Sequence, residues 1–341
     1  MPAARLGGAA LLLLLASTVV VAVGIGSVQV PVGDVLDVVL RRLGLGTDAT
    51  VVDDRIVWQL RMPRVLGAAA TGAGLAIAGA VLQSLTRNDL ADPYLLGISG
   101  GATVGAVSVI VLGVGVAGLA GSAALGAGAF AGALLALVLV LGLATGRAGH
   151  LPPARTVLAG VAIGQICGAY TSFVVMTSGE RDAARRVLAW TMGSLAGVRW
   201  HSAVVLLVVV LLAAVLVVAF AADLDAFAFG DAAASSLGVP VARVRWLLLV
   251  GTALLTATLV AYTGAIGFVG LVVPHVVRLA WGPLHRRLLP LSALAGAILM
   301  VWADTVARSV VEGQEVPIGV VTAVLGAPVF AWLLRRESRV R

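Results

Sequence analysis

Long uncharged apolar runs recur along the chain, and they constrain its fold more than any other feature. A helix needs about 20 apolar residues to cross the ~30 Å hydrocarbon core of a bilayer. Only 11% of the residues are charged, whereas about a quarter are charged in soluble domains. The sequence therefore predicts an all-α integral membrane protein with about ten transmembrane helices, formed as a single domain over residues 1–341. The expected spans lie near 6–28, 64–86, 96–119, 120–146, 156–178, 202–222, 246–264, 266–281, 288–307 and 317–334.

The first and eighth runs differ from the others. The apolar stretch from Leu6 to Ile25 is longer than the roughly 7–15 residues of a signal-peptide core, so we expect a retained first span. The eighth run is short and contains Pro274. A helix in lipid tolerates such a proline where neighbouring groups satisfy the freed backbone.

Composition also bounds the function. All 23 basic residues are arginine, so the chain lacks the lysine of a phosphate-binding P-loop. The sequence shows no metal-ligand cluster, no nucleophile and base pair, and no paired acids. The net charge of +7 is not gathered in a block typical of nucleic-acid binding. These observations argue against an enzyme, and any ATP that drives the protein must bind to another chain.

Orientation follows from the basic segments. An even number of spans places both termini on one side, and the two ends, together with segments 147–155 and 285–287, are basic. The excess of arginine makes this side cytoplasmic. Segments 29–60 and 179–201 then lie outside, where we expect short interfacial helices that carry Trp58, Trp190 and Trp200.

Small residues recur at every fourth position in two spans, as Gly128 and Gly132 and as Gly160, Gly164 and Gly168. Such spacing lets helix backbones approach closely in lipid. Close packing within the chain and a face toward a pore or a second copy are both compatible with it. The stripe on the fifth span, with Gln165 beside it, is the better candidate for a translocation pathway.

The segment 223–245 is too long to be a simple turn. It has an Ala-rich helical pattern that Gly238 closes, and Pro240 follows, which together form a helix stop signal. An ordinary connection is one interpretation. We favour a cytoplasmic coupling element that inserts into a partner ATPase.

Three arginines, Arg61, Arg64 and Arg308, fall at the external ends of spans, against the usual charge bias. They could contact lipid phosphates, or they could receive carboxylates from a docking protein, for which the planar guanidinium is well suited. The spacing of Asp304 and Arg308 predicts an ion pair on one helix face.

Uncharged polar residues inside the spans predict contacts between helices. Gln83, Asn88 and Gln165 have no ionisable partner nearby in sequence, so we expect them to form interhelical hydrogen bonds. His275, directly after Pro274, fits a packing role better than that of a ligand or proton carrier.

The sequence resembles the FecCD-type permeases of bacterial ABC importers, which carry iron-siderophores, haem and cobalamin. The resemblance covers nearly the whole chain. One departure is Asn88-Asp89, where the family usually has Asn-Pro. The matching motifs are RMPR (61–64), the region 83–102, LAGVAIG (158–164), LGVPVARVR (237–245), GAIGFVGLVVPHVVR (264–278), LLPLSALAGA (288–297), WADTVAR (302–308) and EVPIGVVTAVLGAPVFAWLL (315–334).

This resemblance implies a type II ABC importer permease in the bacterial cytoplasmic membrane, with two permease copies around one pathway. Two ATPase subunits would bind ATP and Mg²⁺ below, a binding protein would dock above, and the chain itself would hold no cofactor. Iron-siderophore is the first expected substrate, with haem and cobalamin next. The implied sites are Arg61, Arg64 and Arg308 for docking; Gly230, Asp231, Ser235, Leu237, Gly238 and Val239 for coupling to the ATPase; and Gly160, Gly164, Gln165 and Gly168 for the pathway or dimer face.

A secondary transporter driven by protons or sodium is the competing class. Such proteins usually place ionisable residues or broken helices at the middle of the membrane. Few ionisable residues interrupt the apolar runs of this chain, which disfavours that interpretation.

Overall fold

The structure is a bundle of α-helices. The computed structural model describes residues 2–26, 28–45, 50–116, 118–146, 151–179, 182–311 and 313–337, without the side chains of residues 2–5, 334, 336 and 337. The basic segments at 147–150 and 338–341 lie outside the described residues, so the orientation expected from them stays a prediction. The helices are α1 (Pro2–Gly24), α2 (Val32–Arg42), α3 (Val51–Asp54), α4 (Met62–Thr86), α5 (Ile98–Ile110), α6 (Gly121–Ala144), α7 (Pro153–Thr177), α8 (Ala183–Thr191), α9 (Trp200–Ala219), α10 (Ala221–Phe227), α11 (Asp231–Ser236), α12 (Val241–Thr263), α13 (Val269–Trp281), α14 (His285–Ala307) and α15 (Ile318–Glu337), with a π-helix at Arg55–Arg61 and a 3₁₀ turn at Pro93–Leu96.

Each of the ten expected spans corresponds to one apolar helix, which confirms the predicted fold class. Among the described residues, seven helices are long and apolar enough to cross a membrane, and α5, α13 and α15 are shorter apolar helices. The third span is shorter than expected, since α5 ends at Ile110 instead of near residue 119. Glycines follow it, and Gly113 (φ 65°) and Gly118 (φ 74°) adopt left-handed backbone geometry that ends a helix.

Helix α4 is the centre of the bundle, and it packs against α9, α12, α13 and α14. Two of its glycines contact neighbouring backbone directly. A Cβ atom at Gly72 would overlap the carbonyl oxygen of Gly296 on α14, and one at Gly79 would overlap that of Gly270 on α13. Only glycine allows this approach, which is how helices associate where lipid removes the hydrophobic driving force.

Helices α5 and α6 pack in the same way. A Cβ atom at Gly132 would overlap the carbonyl oxygen of Gly101, and Gly105 lies directly against Gly128. The glycine pair of the fourth span therefore packs within the chain, which was one of the two interpretations left open by its spacing.

Two irregular segments meet inside the bundle. The 3₁₀ turn places Pro93 against Gly270, beside the break at 264–268 that separates α12 from α13. The Tyr94 hydroxyl accepts a hydrogen bond from the Ile266 N–H (2.8 Å) and donates one to the Ile266 carbonyl oxygen (3.0 Å). Tyr94 thus supplies hydrogen-bond partners for the backbone N–H and carbonyl of Ile266, which lipid could not supply. Irregular backbone inside a membrane protein requires such partners.

Short helices cap the end of the bundle where α1 finishes and α4 begins, as segments 29–60 and 179–201 predict. The cap formed by α2, α3 and the π-helix is fixed to α9 by aromatic residues. Trp200 Nε1 donates to the Trp58 carbonyl oxygen (2.7 Å), and the two rings lie 4.8 Å apart. Arg42 pairs with Asp54 and lies over the Trp58 ring.

We predict that Gly79→Ala destabilises the protein, because the new Cβ atom would push α4 away from α13. Overpacking of this kind costs about 1–3 kcal/mol. Gly142→Ala on α6 is the matched control, since nothing lies within 4 Å of its Cβ position, and replacing a helical glycine there should gain up to ~1 kcal/mol. Thermal unfolding in detergent measures both. Equal midpoints for Gly79→Ala and wild type would contradict the close contact.

Candidate functional site at the two ends of the bundle

One end of the bundle holds a cavity of about 430 Å³ with four arginines in its wall. We call it the arginine cavity. It lies near the ends of α1 and α14 and near the starts of α4 and α9. The segment that leads into α15 completes its wall. Glu315 is the one acidic residue among the described lining residues, which are Gly26, Leu60, Arg61, Arg64, Ala196, Arg199, Arg308, Val311, Gly313, Gln314 and Glu315.

Two of the three expected docking arginines hold the end of α1. Arg61 is 8% exposed, and its Nη1 donates to the carbonyl oxygens of Val23 (3.0 Å) and Gly24 (2.9 Å). Arg308 Nη2 donates to the Ala22 carbonyl oxygen (2.6 Å). The last carbonyls of a helix lack partners within it and carry its negative dipole. Both arginines therefore have a structural role that the sequence did not show, and their part in docking stays a prediction.

The third, Arg64, is held between two carboxylates. Its Nη2 lies 2.9 Å from Asp304 Oδ1, and its Nη1 lies 2.7 Å from Glu315 Oε1. The side chain of Asp304 is 1% exposed, whereas that of Glu315 is 47% exposed. The expected pair of Asp304 with Arg308 is longer, at 3.8 Å. Asp304 is therefore chiefly the buried partner of Arg64, and Glu315 is its replaceable, exposed partner.

Arg199 is the fourth arginine of the cavity and is not among the predicted site residues. Its side chain is exposed, and Nη1 donates only to the backbone carbonyls of Ala196 (2.9 Å) and Val198 (3.0 Å). Within the described part of the chain, no carboxylate pairs with it. The same sequence feature that marks Arg61 could have identified Arg199, since it also lies at the predicted external start of a span.

The opposite end carries the expected coupling element, formed by two short helices, α10 and α11, where the sequence suggested one. Gly230 (φ 93°) separates them, and Gly238 (φ 89°) follows α11 in left-handed geometry. The Gly238 N–H donates to the Ser235 carbonyl oxygen (2.9 Å), and the Val239 N–H donates to that of Ala234 (3.1 Å). These bonds form the helix stop that Gly238 and Pro240 predict.

The tip of the coupling element exposes apolar side chains. Leu237 is 70% exposed and Phe229 is 77% exposed, and Ser235 is exposed beside them. Asp231 accepts hydrogen bonds from Arg245 at 2.8 and 2.9 Å, which lower the pKa of its carboxyl group. This pair fixes α11 to the start of α12 and leaves the apolar tip open to a partner.

The expected pathway residues of α7 divide into two kinds. Gly160 is a packing residue, because a Cβ atom there would overlap the carbonyl oxygen of Leu95. It does not belong to an open face, which corrects the expectation from the stripe. Gly164 and Gly168 have nothing within 4 Å of their Cβ positions, and Gln165 is exposed. Gln165 and Gly168 are exposed on α7, and Gly164 is half-buried at the edge of this surface, next to Gly100.

Of the polar residues expected to form hydrogen bonds between helices, Gln83 does so and Asn88 does not. Gln83 Nε2 donates to the Leu271 carbonyl oxygen (3.1 Å), and Gln83 Oε1 accepts from Arg278 (3.1 Å). Asn88 instead caps its own turn, since Oδ1 accepts from the Leu90 N–H (3.0 Å). An asparagine directly after a helix satisfies local backbone more readily than it reaches another helix.

Known proteins resemble this chain over most of its length. The sequence profile of the FecCD transport family matches residues 12–336. A cobalamin import system permease protein, BtuC, of Halobacterium salinarum is 47% identical over 291 residues, which cover 83% of this chain and 74% of the relative. The vitamin B12 import system permease protein BtuC of Vibrio cholerae is 44% identical over 286 residues, or 84% of each chain.

Among solved structures, a metal-chelate type ABC transporter in an inward-facing conformation superposes with a TM-score of 0.84. It is 30% identical, and the match covers 96% of this chain and 98% of that one. The whole fold described above is therefore shared with that transporter.

We predict that Arg61→Met lowers the unfolding midpoint, because carbonyl groups at the end of α1 lose their donors. Each buried acceptor left unpaired costs about 1–3 kcal/mol. Arg199→Met is the matched control and should change stability by less than about 0.5 kcal/mol, as expected for an exposed site. The measurement is thermal unfolding of both variants in one detergent. Equal loss in the two variants would show that Arg61 has no special structural role.

Proposed function

Because the chain belongs to the FecCD transport family, we propose that it is the permease subunit of an ATP-driven importer for cobalamin. The family and the multi-pass membrane fold identify an ABC importer permease. The substrate is our inference from the relatives, which are named as cobalamin and vitamin B12 permeases at 44–47% identity. It replaces iron-siderophore, which was the first expectation from the sequence.

A large, weakly held passage suits such a substrate. We infer that α7 lines it, with Gly164, Gly168 and Gln165 facing a second copy of the chain across the pathway. In the single chain this face is exposed and carries a polar amide, which in lipid alone would lack a hydrogen-bond partner. A second copy or an aqueous passage supplies one, and this supports a dimer around a central path.

Energy would come from separate ATPase subunits, one for each permease copy, which hold ATP and Mg²⁺. The chain contains no lysine, so it cannot form the P-loop that binds nucleotide phosphates. The exposed apolar tip around Phe229 and Leu237 is the surface that we assign to the ATPase contact. Large apolar side chains on a projecting element are typical of a protein interface.

We place the coupling element and both termini on the cytoplasmic side of the cytoplasmic membrane. The arginine cavity then opens to the exterior, where a substrate-binding protein docks. Arg199 and Arg64 are the residues we assign to its carboxylates. Within the described residues the partners of Arg199 are backbone carbonyls, and Glu315 is exposed enough to be displaced from Arg64. Arg61 and Arg308 would contribute positive potential while they hold α1.

The substrate proposal is tested by uptake into proteoliposomes that contain the chain and its co-purified ATPase, with the binding protein outside. We expect ATP-dependent uptake of radiolabelled cyanocobalamin, which unlabelled cyanocobalamin suppresses and excess ferrichrome or haemin does not. The permease alone should neither bind nor hydrolyse ATP. Uptake of ferrichrome in place of cyanocobalamin would contradict the substrate, and uptake driven by a proton or sodium gradient without ATP would contradict the transporter class.

Docking is tested by charge reversal at Arg199. We expect Arg199→Glu to slow association of the binding protein with the permease in nanodiscs several-fold at low salt, because rim charges act mainly on association rate. The difference should shrink at high salt, where charges are screened. Arg243→Glu, at an exposed site on the opposite end, makes the same change in charge and is the control. Equal association rates for the two variants would remove Arg199 from the docking surface.

A further inference from the structure

Three side chains that are distant in sequence are joined by hydrogen bonds at the end of the bundle that we assign to the cytoplasm. Ser84 Oγ lies 2.5 Å from His285 Nε2, and His285 Nδ1 lies 2.6 Å from Asp225 Oδ1. Ser84 is on the last turn of α4, His285 begins α14, and Asp225 is on α10. We call this group the serine-histidine-aspartate link. It joins the coupling element to two central helices of the bundle.

Asp225 binds to α14 in two ways. Its Oδ1 also accepts a hydrogen bond from the backbone N–H of His285 (2.9 Å). This N–H is one of the first four of α14, which have no partner within the helix. A carboxylate here is also favoured by the positive end of the helix dipole. The side chain of His285 is 6% exposed and that of Asp225 is 29% exposed, so the contact is largely shielded from water.

The coupling element has a second attachment, to a different helix. Arg245 at the start of α12 binds Asp231 on α11 and lies 5.2 Å from the centre of the Phe227 ring on α10. The element is thus attached to α12 through Arg245 and to α4 and α14 through His285. Of these two attachments, only the one through His285 reaches α4, the helix around which the bundle is packed.

The group contains the residue types of a hydrolytic triad, but its setting argues for a mechanical role. Ser84 Oγ lies between the ring of His285 (2.5 Å) and the Ala80 carbonyl oxygen of its own helix (3.0 Å). The hydroxyl thus fixes the ring of His285 to α4, and the ring joins α4 to α14 and α10.

We propose that His285 is a positioning residue through which movement of the coupling element is passed to α4 and α14. This inference rests on the proposed importer function. When the ATPase moves α10, Asp225 moves with it, and the histidine ring carries the displacement to both helices at once. Without the link, the element would still bind the ATPase and pack against α4, α9 and α14, but it would lose its hydrogen bonds to α14 and, through the His285 ring, to α4.

The test measures uptake of cyanocobalamin and ATP hydrolysis together in proteoliposomes that hold the full chain, its ATPase and the binding protein. We expect Asp225→Ala, His285→Ala and Ser84→Ala each to lower uptake per ATP hydrolysed about fivefold, the factor that corresponds to about 1 kcal/mol for one buried hydrogen bond. ATP hydrolysis itself should continue. Asp225→Asn should keep the wild-type ratio, because the amide oxygen still accepts from the backbone N–H and from the Nδ1–H of His285.

Thr86→Ala is the matched control. Thr86 is on the same turn of α4, and its hydroxyl donates only to its own helix, at Leu82 (2.7 Å). It loses the same kind of bond as Ser84→Ala but has no contact with His285, so its uptake per ATP should match wild type.

The outcomes separate this inference from the importer proposal. If the wild-type assembly shows no ATP-dependent uptake, the importer proposal falls and the positioning role falls with it. If wild type transports and the alanine variants keep its uptake per ATP, the link alone is overturned. A parallel fall in ATP hydrolysis, uptake and unfolding midpoint would also overturn it, because that pattern indicates a purely structural contact.

Discussion

The antiparallel contact of α4 and α14 is the interaction on which the rest of this structure depends. In lipid, two apolar helices gain nothing from leaving water, so they must gain from close packing and polar contacts. Gly72 and Gly296 bring the two backbones together near the middle of the pair. Arg64 and Asp304 join the helices at one end, and Ser84 and His285 join them at the other. The pair is therefore fixed at three points along its length.

Both candidate functional ends are built on this pair. Arg64 faces the arginine cavity from the start of α4, and its exposed partner Glu315 lies in the segment that leads into α15. At the other end, His285 holds the coupling element through Asp225. Under the proposed function, docking outside and ATP-driven motion inside would both act on this one pair of helices. The exposed face of α7 is not part of this pair.

The sequence predicts the apolar helices well and the contacts between them poorly. Each span follows from length and hydropathy, and the stop at Gly238 follows from local backbone preference. The packing role of Gly160 depends on the backbone of Leu95, which approaches from another element, and a four-residue spacing cannot specify that approach. The link joins His285 to Asp225, 60 positions away, and to Ser84, 201 positions away. No local sequence pattern can predict such contacts. The hydrogen bonds from Arg61 to the carbonyls of Val23 and Gly24 likewise join distant residues, so the sequence did not predict them.

Distances between spin labels test most directly whether α4, α14 and the coupling element move as one unit. Labels would replace Ser236 and Ser309, which are exposed at opposite ends, after Cys167, the single cysteine, is changed to serine. Labelled chains diluted with unlabelled ones report distances within one copy, and Ser236 labels alone report the distance between copies. We predict that ATP changes the distance between copies and leaves the Ser236 to Ser309 distance within one copy unchanged. A shift within one copy as large as that between copies would contradict the rigid unit.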